Sequence, residues 1–287
     1  MSDTALLPQA EDPEASLAAL RAELDGIDDA LLALLGRRAG VVARVGRAKQ
    51  GVALRPGREA AILRRLLSGG AGGLPPVAVV RLWRELFAAT TALQGRFVIS
   101  VAETDPAQGF AALAREQFGA ATPLHVWQTP AQAIADLGSG AATAAVLPLP
   151  TAEDGPGAWW TGLLQRADPP RHVVARLPFW APRAEGAPRA EALVLSAEAP
   201  DPSGADHTLI GLEFPEQPSR ARLATAFAEA GLTLLAVLLR PHAGGTAVLA
   251  TLDGFLEADD PRLAALPGLP FRPVRLGAYA VPVGEPA

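Results

Sequence analysis

Residues 17–50 read LAALRAELDGIDDALLALLGRRAGVVARVGRAKQ, and the spacing inside this stretch decides how the first third of the chain folds. Leu17, Leu20, Leu24, Ile27, Leu31, Leu34, Leu35, Val41, Val42 and Val45 recur mostly three or four residues apart, and no proline interrupts them. That period lines them along one side of an α-helix. Ser16, preceded by acidic residues, suits a helix start, and Gly51 a helix stop. A helix from 16 to about 50 would be roughly 50 Å long, where globular helices average about 11–12 residues. Such a rod needs partners along its length.

Three cations on this helix stand out. Lys49 is the only lysine in the chain, against 24 arginines. The two residue types exchange easily on a solvated surface but differ where a compact ammonium must reach one atom in a tight site. Arg38 interrupts the apolar stripe between Leu35 and Val41, 11 residues before Lys49. At about 100° per residue the two point the same way, about 16 Å apart along the axis, so both could grip one small molecule. Arg21, 17 residues before Arg38, is about 25 Å farther along and about 100° around, too far to share that molecule within one chain. If Arg21 belongs to the site, a second subunit supplies it. Taken singly, the arginines are also readable as solvated helix residues, and Lys49 as a complement to the helix C-terminus.

Composition narrows the classes of function. The chain has 287 residues, 49% hydrophobic and 19% charged, which is a folded protein with room for more than one domain. With no cysteine there is no disulfide framework or thiolate metal site, and His125, His172, His207 and His242 show no paired ligand spacing, so no metal is expected. The opening MSDTALLPQAEDPEAS has no secretory pattern and no later run approaches a membrane span, so the expected location is cytoplasmic, away from membranes. A net charge of −5 and the lack of a basic stripe interleaved with aromatics argue against nucleic acid. The charge is uneven: residues 1–95 carry +2 and residues 96–287 carry −7. An arginine-rich first third on an acidic chain suits a small anionic ligand.

The remaining pattern divides the chain. RPGREAAILRRLLSG (55–69) predicts a second helix, ended by GGAGGLPP, and VAVVRLWRELFAATTALQ (77–94) a third, which makes residues 1–95 all-helical. From Phe97 strand-like and helix-like runs alternate through ATAAVLPLP (142–150), an α/β layer with a parallel sheet. Residues 153–191 read as loop-rich. Trp159 and Trp160 within them suit core packing or a subunit contact. From His207 the order is βαββαβ, the ferredoxin-like pattern.

At the three helices the sequence resembles the all-helical chorismate mutases. The pattern carrying the resemblance is an arginine near the start of the first helix, another seventeen residues on, GxxK closing that helix, RE opening the second, and a Ser or Thr four residues before a Gln on the third. It falls here on Arg21, Arg38, Lys49, Arg58, Glu59, Thr90 and Gln94. The resemblance implies an intertwined homodimer, chorismate as substrate and no cofactor. It implies that Arg38 and the partner's copy of Arg21 hold the substrate carboxylates with Arg58 and Thr90 in support, that Lys49 and Gln94 donate to the ether oxygen, and that Glu59 accepts from the hydroxyl. Where some family members have an acidic residue three before the RE arginine, this chain has Arg55.

The later two thirds resemble, more distantly, the fused chorismate mutase–prephenate dehydratases, whose dehydratase domain precedes a regulatory ACT domain. GFAALAREQFG, QTPAQAIADLGSGAATAAVLPLP and VVARLPF are similar to the dehydratase's first lobe, and SRARLATAFAEAGLTLLAVLLRP to the ACT helix and following strand. The middle segment is too short for both lobes and lacks the Thr-Arg-Phe motif. The expected organisation is a mutase domain over 1–95, a truncated or degenerate dehydratase-like α/β segment over 96–200 and an ACT-like segment over 205–287, with an aromatic amino acid as a candidate effector. The alternatives are a bifunctional mutase–dehydratase and a non-catalytic amino-acid-sensing dimer.

Overall fold

The computed structural model describes residues 13–49, 54–155, 157–165, 170–181, 183, 185–242, 244–264, 266 and 273–284. The chain divides into two units, residues 1–50 and 51–287. The first is one helix, α1 (Pro13–Lys49), 37 residues long and as continuous as the apolar period predicts. The stop expected at Gly51 lies outside the described residues. Along α1 the large apolar residues from Leu17 to Val45 that define the stripe, Val42 excepted, are between 43% and 60% exposed, and Leu32 is 70% exposed. Side chains of this kind normally lie inside, so a stripe of them left open is the fold's most unusual feature.

The second unit opens with α2 (Pro56–Ser68) and α3 (Pro76–Ala92). Between them the GGAGG turn runs through positive φ at Gly70, Ala71, Gly72 and Gly73, a conformation that glycine adopts without a Cβ clash. The apolar faces of both helices close a small core of Ala60, Leu63, Val80 and Phe87 with Phe179 and Ala280. Next come β1 (Ile99–Ala102), α4 (Phe110–Phe118), β2 (Leu124–Trp127), α5 (Pro130–Gly138) and β3 (Ala144–Pro148), in the predicted alternation. Strand β1 pairs parallel with both β2 and β3.

The described residues between 153 and 191 hold more regular structure than their loop-like composition implied. They hold a 3-10 turn over Trp159–Leu164 and the strand β4 (His172–Leu177). HVVARL lacks the alternation of a half-exposed strand because it is inserted inside the sheet, and a mostly buried strand reads as a plain apolar run. Trp160, 2% exposed, packs into the core beside it. Strand β5 (Ala192–Ser196) is antiparallel to both β3 and β4.

The βαββαβ segment forms as predicted: β6 (Asp206–Phe214), α6 (Arg220–Glu229), β7 (Leu234–His242), β8 (Gly245–Asp253), α7 (Pro261–Ala264) and β9 (Val274–Ala280). Leu223 and Phe227 of α6 and Leu263 of α7 pack with Ile210, Leu212 and Val248 from the strands. One sheet spans the whole unit in the order β2-β1-β3-β5-β4-β9-β6-β8-β7. Its halves meet at the parallel pairing of Val173 with Gly277. A Cβ at Gly277 would lie 2.1 Å from the Val173 carbonyl oxygen, so only glycine lets the two backbones approach this closely. Among the described residues no helix is long and apolar enough to cross a membrane.

Candidate active site

On α1, Arg21 is exposed and Arg38 half-buried. Lys49 is the last residue of the helix, and its side chain lies outside the described residues.

The start of α2 is built around a carboxylate from far along the chain. No side chain at the helix's own cap position bonds its open N–H groups. Asp201, in the loop after β5, accepts from the Gly57 N–H at 3.1 Å and the Arg58 N–H at 2.9 Å, and lies 3.3 Å from Arg55 Nη2. An acid at a helix N-terminus satisfies open donors and opposes the helix dipole. Arg55, which stands where some all-helical mutases have an acid, is thus itself paired with one. The approach is tight, since a Cβ on Gly57 would sit 2.0 Å from the Asp201 carbonyl oxygen. Arg64, two turns on, anchors the same helix by donating to Ser203 Oγ at 2.8 Å, to the Ala205 carbonyl at 3.0 Å and to the Val281 carbonyl.

The side chain of Arg58 is exposed, and that of Glu59 is 15% exposed. Glu59 Oε2 accepts from Nη1 of Arg84 at 2.7 Å, and Arg84 is 3% exposed, its guanidinium 4.9 Å from the centre of the Phe179 ring. Burial holds the Arg84 pKa below its ordinary value, while the charge and hydrogen bond of Glu59 pull it back up. The sequence reading missed Arg84. A signal was present, because an arginine at this point in RLWRELF falls among apolar residues that face the core.

Thr90 is 4% exposed and its hydroxyl turns back into α3, 2.7 Å from the Leu86 carbonyl and 3.2 Å from that of Phe87. Gln94 follows one turn later, half-buried, its Nε2 3.5 Å from the Thr90 carbonyl. That length is the limit of a hydrogen bond, so the amide is held loosely. The structure thus joins Thr90, near the end of α3, to Gln94 in the turn that follows it, and ties Glu59 on α2 to Arg84 on α3.

In the α/β half, the entry to α4 is closed to an external anion. Glu103 accepts from the Phe110 N–H at 3.0 Å and the Ala111 N–H at 2.7 Å, so the chain's own carboxylate fills the position where a bound anion would otherwise sit. Asp136 on α5 accepts from Ser100 at 3.2 Å and Trp127 at 2.9 Å, and lies 2.8 Å from His125 Nδ1.

The candidate residues of the helical segment are cations, neutral donors and one carboxylate, Glu59. Residues 20–95 match the family model of chorismate mutase type II, and the chain carries a domain of that isomerase family. Among solved structures, the prephenate dehydratase in complex with L-Phe from Arthrobacter aurescens is 17% identical, with 66% of this chain and 92% of that one covered and a TM-score of 0.48. The prephenate dehydratase from Streptococcus mutans is 19% identical, with 64% and 98% covered and a TM-score of 0.48. GqqA, described as a novel type of quorum quenching acylase, is 18% identical, with 65% and 96% covered and a TM-score of 0.48. These neighbours carry different activities, and a likeness of this degree assigns none of them. No curated protein matches the chain.

Proposed function

We propose that this protein converts chorismate to prephenate. The observation that carries the reading is the chorismate mutase type II match over residues 20–95, a span that holds all seven polar positions singled out in the sequence. In this rearrangement an ether C–O bond breaks as a C–C bond forms, so the protein has only to orient a dianion and stabilise charge. Arg38 and the partner's Arg21 clamp the two carboxylates in the folded conformer, with Arg58 and Thr90 in support. Thr90 takes this part by rotating its hydroxyl away from its own helix. Lys49 and Gln94 donate to the ether oxygen as negative charge builds there, and one preorganised donor of this kind lowers a barrier by about 2.7–4 kcal/mol. Glu59, held by Arg84, accepts from the substrate hydroxyl.

The open apolar stripe of α1 supports a homodimer in which a second copy covers it. Each Leu or Ile fully covered contributes about 1.5–3 kcal/mol, so a stripe of this length is a strong drive to associate. Residues 1–95 serve as the mutase domain, 96–200 as a dehydratase-like remnant and 205–287 as an ACT-like segment responsive to an aromatic amino acid, in a cytoplasmic enzyme. Ultraviolet detection of chorismate loss, with prephenate identified as product, tests the reading, and intact chorismate after prolonged incubation with folded dimer overturns it. Phenylpyruvate formed without acid would add the dehydratase step. Stabilisation by an amino acid with no prephenate formed would make the protein a sensor.

A further inference from the structure

Arg84 has more hydrogen-bonding capacity than its surroundings use. A guanidinium carries five N–H donors, and among the described residues Arg84 makes one hydrogen bond, to Glu59. At 3% exposure, little water reaches the rest of the guanidinium. Its flat face is fixed against Phe179. Arg84 also lines a shallow cleft with an inner volume of about 60 Å³, open to solvent, between α3, α4 and the segment that follows β4.

The lining has a definite chemistry. Val80, Leu113, Phe179 and Trp180 supply apolar walls, and Arg81 and Arg183 add two cations to that of Arg84. Glu116 is the one carboxylate in the lining, and it is paired with Arg183 at 2.8 Å. With Glu59 behind Arg84, three guanidiniums stand near two carboxylates, so the lining carries a net positive charge that attracts an anion.

We propose that this cleft binds a small monocarboxylate whose apolar body is about one ring in size, its carboxylate on Arg84 and Arg81 and its ring beside Phe179 and Trp180. One negative charge completes the balance, and bidentate carboxylate recognition is what an arginine edge does best. An α-amino group is disfavoured, because both nearby carboxylates are already engaged and an ammonium would face guanidiniums. The site therefore prefers aryl acids over aromatic amino acids. A carboxylate on the other edge of Arg84 shares its charge with Glu59 and loosens the contact between them without breaking it. If Glu59 holds the substrate hydroxyl as proposed above, the ligand slows the mutase without entering its site, and this second step rests on that reading.

The test is calorimetric titration of the full-length protein with 3-phenylpropionate, followed by chorismate turnover at the same ligand concentrations. Expected are saturable binding at one site per chain, weaker binding of L-phenylalanine, and a loss of roughly tenfold in affinity for Arg81→Gln, an exposed position whose change removes one charge-assisted contact. Lys49→Ala should bind the acid as well as wild type. No saturable binding, equal affinity in Arg81→Gln, or loss of binding in Lys49→Ala would overturn the site, the last because it would place the acid in the chorismate site. Turnover should fall in parallel with occupancy. Binding with unchanged turnover overturns the coupling through Glu59. A protein that makes no prephenate fails the mutase reading and leaves the calorimetric result to stand for itself.

Discussion

Replacing Arg84 by Met removes one partner of a buried pair and keeps most of its volume. The Glu59 carboxylate, only 15% exposed, then loses the Arg84 guanidinium. Breaking a buried pair from one side costs about 3–5 kcal/mol, and the partial exposure of Glu59 places this case near the lower end, at about 3 kcal/mol. The methionine keeps apolar contact with Phe179 but gives up the cation–π attraction, a further loss of about 0.5–1 kcal/mol. Burial is the largest influence on Arg84 and opposes its charge, so the pair itself contributes little net stability. The double variant Arg84→Met, Glu59→Met is therefore expected within about 1 kcal/mol of wild type. In urea, followed by tryptophan fluorescence, a total loss of about 3.5–4 kcal/mol with a slope of about 2–3 kcal/mol/M moves the midpoint down by roughly 1.2–2 M. A single variant unfolding within about 0.3 M of wild type, or a double variant no more stable than the single, would refute the reasoning.

Arg21→Ala and Lys49→Ala chains should each be nearly inactive alone, yet recover about a quarter of wild-type activity when refolded together, because half the random dimers are mixed and each has one intact site of two; no recovery in mixed dimers confirmed by mass spectrometry would mean Arg21 does not cross. Gly57→Ala, normally a stabilising change in a helix, should here destabilise by about 1–2 kcal/mol in the same urea assay, since the new Cβ displaces α2 from Asp201. Burial acts to raise the Asp136 pKa, but donors on Trp127, His125 and Ser100 outweigh it and hold the value below the ordinary 3.8. A depressed carboxylate contributes stability that is present above the unfolded pKa and lost as pH falls through the folded one, so Asp136→Asn should flatten the fall in stability below about pH 4, and an unchanged acid profile would count against the cluster.

The long helix, the three-helix order and the βαββαβ order were legible because helix and strand periods are local patterns, and Gly and Pro mark their ends within a few residues. Arg38 stands out in the sequence as a break in an apolar stripe and Lys49 as the only lysine, while Arg58, Glu59, Thr90 and Gln94 are candidates through the family resemblance. Strand β4 was hidden by its burial inside the sheet, where alternation disappears. The surroundings of Glu59 and Arg58 depend on contacts that no local pattern encodes. Asp201 caps α2 from 144 residues away, Arg64 reaches Val281 across 217, and Phe179 lies over Arg84. In sequence, residues 1–95 read as a separable helical domain. In the structure, Leu63, Val80 and Phe87 close their core with Phe179 and Ala280, so the faces of α2 and α3 need the later chain to keep water out. Amphipathic spacing says that a helix face will be buried, but what buries it, and which charges are desolvated as a result, is set only when distant segments meet.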